Sequence, residues 1–76
     1  MYVHIGNDEL LKSEDIIAIL DVETLRQSRN NLRIINLLKD QNSDVKSVVL
    51  IKKGEKIEER FSIISTTTIK SRIEQF

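Results

Sequence analysis

The side chains able to do chemistry in this sequence are few, and most of them are basic. His4 is the single histidine and there is no cysteine, so neither a two-histidine metal site nor a thiolate site can be assembled. A catalytic role for His4 would need carboxylates converging on it; its alternation with Val3 and Ile5 gives a strand-surface position instead. The acidic pairs Asp8-Glu9, Glu14-Asp15 and Glu58-Glu59 are adjacent in sequence. On a strand such neighbours point to opposite faces and are badly placed to share a proton, so capping and solubility account for them. Two glycines cannot build a phosphate-cradling loop, and no serine stands in a G-x-S-x-G elbow. The expectation is a protein that is not an enzyme, with no catalytic residues, no metal site and no cofactor.

The basic residues are more suggestive. Arg26, Arg29 and Arg33 are spaced three and four apart, so a helix that begins early carries them on one stripe. Guanidinium groups in such a row can lie along phosphates through paired charge-assisted hydrogen bonds; the alternative is the solvated face of an amphipathic helix. Lys52, Lys53 and Lys56 surround an expected hairpin tip, where they either touch phosphate or keep an exposed edge soluble. These six residues are the candidate nucleic-acid contacts. Lys70 and Arg72 read as surface charge on a closing helix. Ser65-Thr66-Thr67-Thr68 fits a helix cap or an anion or phosphorylation site at a helix start. No aromatic residue interleaves with any of these clusters, which argues against a general single-strand binder.

Composition limits what the basic residues can achieve. Twelve basic and twelve acidic side chains cancel, whereas a dedicated polyanion binder carries a positive surplus. Contact with nucleic acid must therefore come from local patches. The chain has 76 residues, 39% of them hydrophobic and 32% charged, which suits one folded domain over 1–76. A domain of this size buries only about 60% of the surface its unfolded chain exposes, so its core is thin. Without cysteines, oligomerisation is the expected supplement. The first residues lack the basic head and apolar run of a signal peptide, and no apolar run approaches a bilayer span. A cytosolic protein without membrane contact is the expectation.

These residues need elements to position them. Residues 2–5 read as a strand ending at Gly6-Asn7-Asp8, and 10–12 as a short strand pairing back. Ser13-Glu14-Asp15 turns the chain into 16–20, a continuous β-branched run that reads as a buried strand. Over 28–41 the period changes: Leu32, Ile35 and Leu38, widened by Ile34 and Leu37, predict an amphipathic helix. Ser28 suits its N-cap, although Leu25 permits a start near Glu23. Gln41-Asn42-Ser43-Asp44 should end it. Residues 45–52 predict a central strand, Lys53-Gly54 a bend, and 56–64 a returning strand. On that strand Ile57, Phe61 and Ile63 share a face with the ill-fitting Glu59. Ser65 then caps a helix over 66–75, with Ile69, Ile73 and Phe76 turned inward. The order predicts an α+β fold whose small antiparallel sheet has about five short strands.

Four segments of this chain, in order, resemble the bacterial extracellular-matrix regulatory family (RemA/RemB-like), closest to its RemB-like branch. They are Tyr2-Val3-His4-Ile5-Gly6, Asp15-Ile16-Ile17-Ala18-Ile19-Leu20-Asp21, Lys46-Ser47-Val48-Val49, and Ile64-Ser65-Thr66-Thr67-Thr68-Ile69-Lys70-Ser71-Arg72. Residues 23–42 match poorly. The resemblance implies a cytosolic, oligomeric transcription regulator of biofilm-matrix genes, ring-forming in the sister RemA-like branch, that contacts double-stranded DNA. That sister branch is implied to use arginines where this chain has Ser43-Asp44 and Asp15, so its contact surface does not carry over. Two expectations follow: an oligomer touching DNA through repeated weak patches, or a module that keeps the scaffold and binds another regulator protein instead. Either way, light scattering at micromolar concentration should give a mass above that of one chain, and a monomer would remove the avidity on which the first expectation depends.

Overall fold

A computed structural model describes residues 1–28 and 32–74. The fold is α+β, with five antiparallel strands divided between two small sheets. Strands β1 (Tyr2–His4) and β2 (Leu10–Lys12) form a hairpin. Strands β3 (Ile16–Asp21), β4 (Ser47–Lys53) and β5 (Lys56–Ser62) form a sheet in the order β3-β4-β5. Five strands in one sheet was the expectation. A separate hairpin results because β1 and β2 pair only with each other and pack through Val3 and Leu11 on the larger sheet's face.

The three-stranded sheet is the middle layer. Register places Leu20, Val48 and Phe61 in a row, followed by Ala18, Leu50 and Glu59 on the same face. Helix α1 (Val22–Gln27) and helix α2 (Leu32–Leu38) cover this face through Val22, Leu25, Ile34 and Leu38. The opposite face carries Ile19, Val49 and Ile51, against which Val3, Ile5 and Leu11 pack, together with Ile69 and Ile73 of helix α3 (Thr66–Glu74). Strand β4 is therefore enclosed on both faces and both edges, and Ser47, Val48, Val49 and Ile51 are buried.

The run at 16–20 differs from the buried strand expected of it. Strand β3 is an edge strand, and its register with β4 slips between Ile16 and Ala18. Ile17 is the extra residue, 51% exposed. The slip turns Ile16 to stand opposite Ile51, so that Ile16 and Ile19 serve one core despite their odd spacing. A bulge of this kind also breaks the regular ladder that an unprotected apolar edge would offer to another chain.

The helix expected over 28–41 is corrected. Asp21, the last residue of β3, caps α1 by accepting from the Thr24 amide at 3.1 Å. Ser28 closes α1 as its C-cap, with its amide donating to Leu25 O at 3.0 Å. Residues 29–31, over which the expected helix would begin, lie outside the described residues, and α2 is described from Leu32. Helix α2 ends at Leu38, earlier than expected, and the chain continues in turns closed by Asp40 N to Leu37 O and Gln41 N to Leu38 O. The closing helix agrees with its cap: Ser65 Oγ accepts from Thr68 N at 3.3 Å. Gln75 and Phe76 lie outside the described residues, so the expected inward turn of Phe76 does too.

Polar groups lock the layers together. Ser47 and Ser62 are cross-strand partners, both fully buried. Ser47 Oγ donates to Ile64 O, and Ser62 Oγ donates to Ile5 O, both at 2.6 Å. Ser62 Oγ also accepts from Ile64 N at 3.0 Å. One hydroxyl thus ties β5 to Ile5, the residue after β1, and to the turn before α3. Arg72 donates to His4 O at 2.6 Å, so it joins α3 to β1, a different role from the free surface charge expected of it. At the chain's start, the Ser13 hydroxyl, helped by the Met1 amino group, holds the Glu14 carboxyl below the ordinary glutamate range. Ser62→Ala strips a partner from a buried carbonyl and from an amide, and should cost about 1–3 kcal/mol. Urea unfolding should show a lower midpoint with an unchanged slope; an unmoved midpoint would contradict the tie.

Candidate nucleic-acid interface

The β4–β5 hairpin presents its lysines on a rigid tip. Register pairs Lys53 directly with Lys56 across a two-residue loop, Gly54-Glu55. Gly54 has φ +61° and Glu55 has no positive φ, the pattern of a hairpin turn that needs glycine first. Nothing lies within 4 Å of where a Gly54 side chain would begin, so the requirement is conformational and not one of space. Lys52 pairs with Ile57 and so points to the helix-covered face, while Lys53 and Lys56 point to the other. All three lysines are exposed, and among the described residues none makes an ion pair.

The arginines do not form the stripe. Arg26 belongs to the last turn of α1 and Arg33 to α2, two separate helices. Arg29 lies outside the described residues. Arg26 lines an open groove of about 670 Å³ with Asp21, Glu23, Asp44 and Lys46, near the start of β4. The hairpin tip is at the far end of that strand, roughly 20 Å away at the rise of an antiparallel strand. Arg33 is ion-paired with Glu59, halfway along β5. That pairing supplies the reason for Glu59, which looked out of place among the apolar residues of its face.

Other charges are committed to structure. Arg60 meets Glu58 at 2.7 Å and Glu9 Oε1 at 3.2 Å, clamping the β1–β2 loop to β5. Glu9 Oε1 is shielded from water and makes no hydrogen bond, so the ionic approach of Arg60 is its compensation. Sequence reasoning missed Lys12, which lines a hollow of about 360 Å³ with Lys53, Arg60, Glu9 and Asp15. Nothing in its spacing announces this, because the β1–β2 hairpin brings it there through the fold. Asp15 in that hollow and Asp44 in the groove put acid at both places where the resemblance implies arginine in the sister branch. Among the described residues no group of histidines and carboxylates gathers that could hold a metal ion, and no helix is long and apolar enough to cross a membrane.

Comparison with family models, curated proteins and solved structures gives no match.

Like charges placed directly opposite on a hairpin destabilise it, so the Lys53–Lys56 pair carries a stability penalty that a polyanion would relieve. Lys53→Glu converts repulsion into attraction and should stabilise the hairpin by about 0.2–1 kcal/mol, read as a higher thermal midpoint. A lowered midpoint would show that the lysines do not repel across the strands.

Proposed function

We propose that this chain is a small oligomeric regulator of the extracellular-matrix type, cytosolic and non-enzymatic, that contacts double-stranded DNA through the tip of its β4–β5 hairpin. The observation that carries this reading is the Lys53–Lys56 cross-strand pair, with Lys52 beside it, on a glycine-fixed turn. Three exposed cations, without ion-pair partners among the described residues, sit on a projection narrow enough to approach a groove or a phosphate ridge. The four-segment resemblance supports the regulatory role. No aromatic platform accompanies the tip among the described residues, since Phe61 is half-buried inside the sheet and Tyr2 stands on the other hairpin. Duplex DNA, held by its backbone, is the polyanion this surface suits.

One copy of the tip would bind weakly, because the whole chain has no net charge. Several copies held in one assembly raise avidity by about 10²–10⁴ where geometry lets them engage together. Exposed apolar residues Tyr2, Leu10, Ile17, Leu32 and Ile57 supply surface for such an assembly. A second reading, a protein-interaction module that binds another regulator and leaves DNA alone, is favoured by Asp15 and Asp44 and by the scattering of Arg26 and Arg33.

A salt-series titration of labelled duplex separates the two. For the intact chain, affinity should fall with salt, and Lys52→Ala/Lys53→Ala/Lys56→Ala should flatten the slope by about 0.9 for each phosphate no longer neutralised. Arg26→Ala should change little. Unaltered affinity and slope in the triple variant would hand the reading to the interaction module.

A further inference from the structure

The Arg33–Glu59 pair joins α2 to β5. Glu59 is on β5, and its side chain is 12% exposed, while that of Arg33 is 73% exposed. Glu59 opposes Leu50 on β4, and the next pair toward the tip on that face is Lys52 with Ile57. Lys52 and Glu59 are therefore diagonal neighbours, close enough for long side chains to meet. The exposed guanidinium of Arg33 is held at the middle of β5 by Glu59, the diagonal neighbour of the innermost lysine of the proposed DNA surface.

We infer that Glu59 is an internal stand-in for phosphate, an autoinhibitory contact that withholds Arg33 from a polyanion and limits the affinity of each copy. The inference rests on the hairpin-tip reading and deepens it. A carboxylate and a phosphate each offer guanidinium a pair of anionic acceptors, so the two compete for Arg33. A protein that works by avidity gains from weak individual contacts, because they keep assembly a condition of tight binding. Glu59 is well suited to this role: its near-burial fixes the carboxylate in place while Arg33 remains open to solvent.

The experiment is a double-mutant cycle read by the same salt-series titration on a labelled duplex. Glu59→Gln keeps the shape and removes the charge. It should raise affinity roughly three-fold or more and steepen the salt slope by about 0.9 for each subunit that engages. Arg33→Gln alone should lower DNA affinity by clearly less than Glu59→Gln raises it, since the lost cation was already held by Glu59 and only the near-buried carboxylate is left uncompensated. The double variant should return to the affinity of the unmodified chain. A purely structural pair gives a different pattern, in which either single variant lowers the thermal midpoint and Glu59→Gln brings no gain in affinity. A general charge effect gives a third, with Arg33→Gln weakening the unmodified chain as much as Glu59→Gln strengthens it. Both of those patterns overturn the inference. Its failure is distinct from that of the hairpin-tip reading, which falls only if the triple lysine variant binds as well as the unmodified chain.

Discussion

Strand β4 has paired neighbours on both edges and apolar layers on both faces, and the need to bury it decides where every other residue can stand. A strand enclosed in this way must be apolar at every internal position or have its polar groups met. Val48, Val49 and Ile51 satisfy the first condition, and Ser47 satisfies the second through Ile64 O. Two covers are needed because the strand has two faces. In so short a chain they are built from a pair of very short helices on one side, and a minimal hairpin with one longer helix on the other. Charge is left with the ends of the sheet and its rims.

That arrangement explains why the basic residues are dispersed. The stretch of β4 that leaves the core is the end nearest the turn, and there the lysines concentrate. Arg60 and Arg72 are drawn into fastening the covers, one to Glu58 and Glu9, the other to His4 O. Arg33 fastens α2 through Glu59. Of the arginines that sequence spacing put forward as one stripe, Arg26 stands on α1 and Arg33 on α2, where it is paired with Glu59. Net neutrality is set by composition, and the structure shows where part of the acid goes: Glu9, Glu58 and Glu59 are the partners of arginines that hold layers in place.

Much of the fold was legible where local rules agree with tertiary ones. Gly6-Asn7-Asp8 ends β1 with three positive-φ residues, which is what glycine, asparagine and aspartate tolerate best. Ser65 caps α3 as its hydroxyl permits. The β4–β5 hairpin follows from an apolar run, a glycine and an alternating return. Legibility failed between 21 and 41, for reasons of scale. A six-residue helix gives too few turns for a period to show, and Asp21 reads as the end of a strand although it also caps α1. The bulge at Ile17 was equally hidden, because a run of β-branched residues shows no alternation for a slip to disturb. For the site, hairpin lysines could be named from sequence, but the separation of Arg26 from Arg33 and the role of Glu59 depend on which helix covers which strand.

If weak lysine tips act together, the length of the DNA must govern affinity. Affinity should be measured against duplexes of increasing length at fixed salt, with the mass of the complex followed in the same samples. A duplex that reaches only one tip should bind weakly, and one that spans two or more should bind tighter by about 10²–10⁴, with several copies of the chain in the complex. Affinity that stays flat with length, on a single copy of the chain, would contradict joint action of the tips.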